Sequence, residues 1–271
     1  MKYETLPNLS IPKIGFGCWT IGGEGAPNLA DDERSLAALR SAVELGYRHF
    51  DTAEYYAAGH SEELLGRVVR ESGLAREDFF ITSKVSPEHL AYEEVLRACA
   101  ASLARLGLAY LDLYLIHWPV RGMNLPETFR ALNRLVSEGR VRALGVSNFN
   151  LKLLKEAAAL SATPLLTNQV PYSIPDRRYV ENGVLAYCQS NDILLTAYSP
   201  VKSRFFKGKK LAEFARRKGS TPFRVGLAWL ARQPRVIAIP TSFNPQHQAE
   251  NLSAPDLDLS QAEMDFLDSL A

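Results

Sequence analysis

The feature that narrows the fold most is a regular alternation of two kinds of segment along the chain. Short apolar runs occupy positions 14–18, 47–51, 79–84, 111–117, 141–147, 165–169, 193–199 and 236–240. Between them lie longer stretches of helical periodicity, at 31–45, 61–71, 92–106, 126–137, 151–160, 175–189, 211–218 and 222–232. Asp31, Asp32 and Glu33 suit a first helical turn, and Gly46 and Gly107 stand where helices should end. Apolar runs this continuous read as strands buried on both faces, hence a parallel sheet. A parallel sheet with helical crossovers is either doubly wound or closed into a barrel. Eight repeats favour closure, so the expected class is α/β: a (β/α)8 TIM barrel forming a single domain over 1–271. Ahead of it, residues 3–12 with Pro7-Asn8 at their centre read as an N-terminal β-hairpin. A hydrophobic content of 46% is enough for one core of that size.

The apolar runs end on polar groups: Asp51, Lys84, His117, Ser147-Asn148, Asn168-Gln169 and Tyr198-Ser199. In a barrel these C-terminal strand ends converge on one face, the face that carries active sites. Each residue alone has an ordinary structural reading. Asp51 could cap a turn, His117 could be a core histidine, and Ser147-Asn148 could cap a helix starting near Leu151. Six strands delivering such groups to one mouth is the stronger observation.

Composition excludes several other roles. The balance of 31 Lys+Arg against 30 Asp+Glu leaves a formal charge of +1 with no long basic run, which argues against nucleic acid. No stretch approaches the roughly 18 apolar residues of a membrane span. The start, Met1-Lys2-Tyr3-Glu4, has no apolar signal core, so a cytoplasmic protein is expected. Cys18, Cys99 and Cys188 are scattered, and His49, His60, His89, His117 and His247 lack ligand spacing, so neither a disulfide framework nor a metal site is expected.

The motifs around these residues are more specific than any one position. Phe50-Asp51-Thr52-Ala53-Glu54-Tyr55-Tyr56 precedes Gly59-His60-Ser61-Glu62-Glu63-Leu64-Leu65-Gly66. Lys84 closes Phe80-Ile81-Thr82-Ser83-Lys84, His117 sits in Leu115-Ile116-His117-Trp118-Pro119, and Gly145-Val146-Ser147-Asn148-Phe149 follows. Asn168-Gln169, Tyr198-Ser199-Pro200, Ile239-Pro240-Thr241-Ser242 and Glu250-Asn251 complete the series. In this order the chain resembles the aldo-keto reductases from its hairpin to its last helix.

That resemblance implies NAD(P)H-dependent reduction of aldehydes and ketones to alcohols, with Asp51, Tyr56, Lys84 and His117 as the catalytic set. Hydride comes from the nicotinamide, and the protein must orient the carbonyl and supply a proton. Tyr56 is the expected acid. Its phenol, near pKa 10 when free (approximately), would be lowered by the Lys84 ammonium, which Asp51 holds in place. His117 would polarise the carbonyl oxygen. The resemblance assigns Ser147, Asn148 and Gln169 to the nicotinamide carboxamide and stacks Tyr198 on the nicotinamide ring. It adds Gly17, Trp19, Thr20 and Asp51 near the cofactor, Ser199, Pro200, Val201 and Ser203 at the pyrophosphate, and Ile239, Thr241, Ser242, His247, Glu250 and Asn251 at the adenosine end. Trp19, Tyr55, Tyr56, His117 and Trp118 would form the substrate pocket.

Two departures from the family pattern stand out. Thr241 and His247 replace the usual Lys and Arg that hold the 2′-phosphate of NADPH, so the preference for NADP(H) should weaken and NAD(H) should also serve. The loops after Trp118 and after the helix at 260–270 are short, which implies an open mouth and broad tolerance for a small aldehyde or ketone. The expected state is a monomer. Alternatives carried with this reading are a cofactor-binding redox sensor or regulatory subunit of the same fold with little turnover, and a Schiff-base aldolase acting through Lys84.

Overall fold

The computed structural model describes residues 2–7, 9–202 and 204–270. Two short strands, β1 (Tyr3–Leu6) and β2 (Leu9–Pro12), open the chain. Then follow β3 (Phe16–Gly17), α1 (Asp32–Leu45), β4 (His49–Asp51), α2 (His60–Glu71), β5 (Phe80–Val85), α3 (Tyr92–Leu106) and β6 (Leu111–Ile116). Next come α4 (Leu125–Ser137), β7 (Val141–Ser147), α5 (Leu151–Leu160), β8 (Thr167–Pro171), α6 (Arg178–Glu181), α7 (Val184–Ser190) and β9 (Leu194–Tyr198). The chain ends with α8 (Lys209–Arg217), α9 (Pro222–Ala231), β10 (Val236–Ala238), α10 (Pro245–Leu252) and α11 (Gln261–Asp268).

Strands β3 to β10 form one sheet in sequence order, every neighbouring pair parallel. Its two edges meet through a parallel bridge between Ile14 and Ala238. There Gly15 N donates to Ala238 O at 2.9 Å and Gly17 N to Pro240 O at 3.1 Å, so the sheet curls into the expected (β/α)8 barrel. The hairpin β1–β2 is antiparallel with Leu6 opposite Leu9, and Asn8 at its tip lies outside the described residues. Leu6 and Ile11 pack with Leu113, Leu115, Leu194 and Ile237, so the hairpin stoppers the N-terminal end of the barrel. Lys13 ties it down by pairing with Glu4 and donating to Gln233 O and Val236 O. Among the described residues, the barrel therefore opens at its opposite, C-terminal mouth.

Local signals explain most boundaries. Gly46 and Gly107 adopt the left-handed helix-ending conformation, at φ 103° and 64°. Asn150, rather than Ser147 or Asn148, caps α5 through Leu153 N, which frees the earlier pair for another role. The expected helix over 175–189 is instead two short ones, because Gly183 turns the chain at φ 81° between α6 and α7. The helix α10 was not anticipated by periodicity. Its sign was chemical: Asn244 accepts from Gln246 N and His247 N, and Pro245 occupies the first turn.

Candidate active site

Asp51 ends β4, and Lys84 lies on β5 two residues beyond Thr82, the register partner of Asp51. Their side chains point inward and meet. Lys84 Nζ donates to Asp51 Oδ1 at 2.5 Å, to Thr52 O at 2.8 Å and to Tyr56 Oη at 3.1 Å. Gln169 Nε2 donates to the other Asp51 oxygen at 2.8 Å, a partner the sequence reading had not named. Tyr56 is brought back over Lys84 by a tight turn in which Ala57 and Ala58 both carry left-handed φ, 49° and 53°. Two consecutive non-glycine residues in that region hold strain that the surrounding contacts must oppose. The Tyr56 ring stands edge-on to Trp19 at 5.1 Å and to His117 at 5.7 Å.

The first turn of α2 supports this group from behind. Ser61 Oγ donates to Cys18 O at the end of β3 and accepts from Thr52 Oγ1 after β4. Glu62, fully buried, accepts from Ser83 Oγ at 2.5 Å and from Arg105 Nε at 2.6 Å. Three strand ends are thereby pinned to one helical turn, which accounts for the Ser61-Glu62 pair that the motif contained without a role.

The electrostatics follow from burial and one cation. Burial opposes the charge on Lys84, but Asp51 and Tyr56 outweigh it and hold the ammonium above its ordinary range. Burial also pushes the Tyr56 phenol up, and Lys84 pulls it back without prevailing. The sequence expectation of a lowered phenol is reversed, because burial disfavours the phenolate more than one neighbouring charge favours it. His117 is pushed down to about 2 by burial and by Lys84, so its imidazole is neutral. Its Nδ1 has no partner among the described residues. His49, two residues before Asp51, is pushed to about 3 for the same two reasons.

Of these groups, Asp51, Tyr56 and His117 line a cleft of about 640 Å³, within the range of roughly 300–1,000 Å³ usual for small-ligand sites, with Lys84 buried behind them. Of the residues assigned to a cofactor, Gly17, Trp19, Thr20, Asp51, Ser147, Asn148, Gln169, Tyr198, Ser199, Pro200, Val201, Ile239 and Thr241 all line it. Asn148, at φ 63°, donates to Ser147 Oγ and His117 O and accepts from Tyr198 Oη at 2.9 Å. Ser147 Oγ donates to Gln169 O. Asn168 points the other way and clamps both backbone groups of Phe149, so it serves the turn and not the mouth.

The remaining assignments fall elsewhere. Ser242, His247, Glu250 and Asn251 lie outside the cleft wall, on the loop after β10 and on α10. Glu250 accepts from the Thr221 hydroxyl, and His247 is exposed in the first turn of α10. Thr241 Oγ1 donates to Gly17 O at 2.6 Å, so its proton is already engaged. Ser203 lies outside the described residues. Trp118 lines the cleft and stacks on His117 at 3.7 Å, whereas Tyr55 is 47% exposed at the rim, parallel to Trp19. The wall also includes Pro240 of the Ile239–Ser242 motif, Lys202 next to Val201, and Glu24 and Phe243, which no motif marks. Lys202 begins a stretch that the chain total conceals. Residues 202–218 carry eight cations and one acid, against +1 for the whole protein.

A barrel whose C-terminal mouth joins a buried Asp–Lys–Tyr cluster to a neutral histidine belongs to a definable class of proteins, the barrel oxidoreductases that act on carbonyls. The Aldo/keto reductase family model matches residues 13–271, and the chain belongs to that family. It is 34% identical to the methylglyoxal reductase of Escherichia coli (strain K12), covering 96% of this chain and 91% of that one. A thermostable aldo-keto reductase solved with the inhibitor epalrestat superposes with a TM-score of 0.96 at 43% identity, covering 100% of both chains. An aldo/keto reductase from Klebsiella pneumoniae in complex with NADP and acetate does so with a TM-score of 0.88 at 35% identity, covering 96% and 92%.

Proposed function

We propose that this protein reduces small aldehydes and ketones to alcohols with NADP(H), accepts NAD(H) as well, and uses Tyr56 as its general acid. The observation that carries the reading is the three-way contact of Lys84 with Asp51, Thr52 and Tyr56 beside His117 at the deep end of the cleft. NADP bound to the Klebsiella relative and the methylglyoxal reductase activity named for the Escherichia coli relative point the same way.

The cleft suits a nicotinamide cofactor. At its deep end, Ser147, Asn148 and Gln169 offer hydroxyl and amide groups to a carboxamide, and Tyr198 offers a ring face. A bound nicotinamide supplies the hydride. The protein's own residues do the rest. Tyr56 keeps its proton because burial raises the phenol, and it releases that proton to a developing alkoxide whose charge the Lys84 ammonium offsets. Asp51 keeps Lys84 charged and in place. Neutral His117 offers a hydrogen bond to the carbonyl oxygen without competing as an acid. Trp19 and Trp118 give the cleft wall an apolar, aromatic surface that favours an uncharged substrate.

An aldolase role for Lys84 is disfavoured, because a nucleophilic amine must be neutral and this one is enclosed, charged and triply bonded. Tyr56→Phe tests the proposal. Loss of about 10²–10⁴-fold in kcat is expected, with nucleotide binding by fluorescence quenching retained. Turnover close to wild type would overturn it.

A further inference from the structure

The residues after β9 include some that line the cleft and, further along the chain, the helix α8. Ser199, at φ 51°, turns the chain, and Val201 and Lys202 then form part of the cleft wall. Phe206 anchors the far side, 1% exposed, against Gly226 of α9. A Cβ at Gly226 would stand 2.4 Å from the Phe206 ring, so the glycine is what lets the segment lie down there. Between and beyond these anchors Lys202, Arg204, Lys207, Lys209 and Lys210 are all exposed. None of the five forms an ion pair with an acid among the described residues. Arg216 and Arg217 extend the same character to the end of α8. With Lys218 the stretch 202–218 sums to +7, which leaves −6 on the rest of a +1 chain. The loop at 241–247, by contrast, contributes only His247 as an ionisable cation.

We infer that the 202–218 arm is an electrostatic guide that captures the polyanionic end of the dinucleotide and delivers it to the cleft, so that phosphate selectivity resides mainly in the rate of association. The inference rests on the dinucleotide reading proposed above. Screening sets its reach. The nine residues of α8 span about 14 Å. At about 10 mM ionic strength the screening length is roughly 30 Å and the whole arm acts on an anion approaching the cleft. Near 150 mM it is roughly 8 Å, and the contribution of the arm shrinks toward that of Lys202 at the wall. NADPH carries a phosphate monoester that NADH lacks, so it feels the guide more strongly.

The test is stopped-flow association of each nucleotide with the intact protein, followed by fluorescence quenching, from 10 to 300 mM salt. Steering of this kind changes association rates by roughly 10–10³-fold. For wild type, NADPH association should fall at least tenfold over the series (at the lower end of that range) and NADH association distinctly less. In Lys207→Gln/Lys209→Gln/Lys210→Gln, NADPH association at 10 mM should drop about tenfold and its salt dependence should flatten, with the dissociation rate unchanged. Lys202→Gln should also raise the dissociation rate, because that side chain lines the cleft. Thermal unfolding of each variant confirms that the fold is kept. An unchanged salt slope in the triple variant, or equal slopes for NADPH and NADH in wild type, would overturn the guide while leaving the dinucleotide reading intact. Failure of wild type to bind either nucleotide would overturn both.

Discussion

Replacing Lys84 by Met should separate the structural and chemical duties of one ammonium. The side chain is fully buried and spends its three protons on Asp51, Thr52 O and Tyr56. Its removal leaves the Asp51 carboxylate, 1% exposed, with Gln169 Nε2 as its remaining side-chain donor. Uncovering one member of a buried pair in this way costs about 3–5 kcal/mol, a large part of the roughly 5–15 kcal/mol that holds a domain together. The same change removes the charge that opposes the buried phenol, so kcat should fall by about 10²–10⁴-fold. The double variant Asp51→Asn/Lys84→Met removes the stranded charge as well. It should recover at least half of the lost stability in urea unfolding and none of the lost turnover. A double variant no more stable than Lys84→Met would refute the claim that Lys84 exists partly to satisfy Asp51. Recovery of turnover would refute its role beside Tyr56.

Three further outcomes follow from the same geometry. His49 and His117 sit near 3 and 2 in the folded protein, below the ordinary value of about 6.5, so the unfolded chain binds more protons between those limits. Stability is therefore whole above pH 6.5 and declines below it, by about 2 kcal/mol per histidine at pH 5. His49→Gln should remove about half of that decline in urea midpoints at pH 7 and pH 5, and an identical decline would refute the assignment. The rate of carbonyl reduction should show no break near pH 6.5, because His117 is neutral and Tyr56 and Lys84 are protonated throughout the neutral range. Alcohol oxidation should rise with pH, since it needs the phenolate; a reduction profile that breaks near 6.5 would contradict the reading. Thr241→Lys should tighten NADPH about tenfold, or about 1.4 kcal/mol, by restoring a cation beside Gly17, with little change for NADH in fluorescence titration.

Much of the architecture was legible because barrel strands and amphipathic helices announce themselves by period. The strand at 141–147 and the helices at 92–106 and 151–160 lie where the apolar pattern placed them. Periodicity failed where cap chemistry decides. It ran through Gly183 and passed over the Asn244-Pro245 start of α10. The inward residues Asp51, Lys84 and Gln169 were legible from their positions at strand ends, yet the bond from Gln169 to Asp51 joins residues 118 apart, and no local pattern encodes it. Asn168 shows the limit from the other side. It stands next to Gln169 in a strand, and alternation turns it away from the mouth. Enclosure was invisible as well, which is why the expected lowering of the Tyr56 phenol became a rise. The charge of 202–218 was readable throughout, but a chain total of +1 averaged it away.

The seam between the first and last barrel strands has a consequence for the order in which things come apart. It is narrow: a two-residue β3, the backbone bonds around the Ile14–Ala238 bridge and from Gly17 N to Pro240 O, and the Thr241 hydroxyl on Gly17 O. The bridge and the hydroxyl bond join residues 224 positions apart, so they close a loop that takes in most of the chain and carry a correspondingly large ordering cost. The cleft wall takes Gly17 from one side of the seam and Ile239, Pro240 and Thr241 from the other. A ligand lying there acts as a rivet across the two ends of the chain. Its binding energy is spent holding the cylinder shut, and amide exchange at Gly15, Phe16, Gly17, Ala238, Ile239 and Thr241 should accelerate most when it leaves.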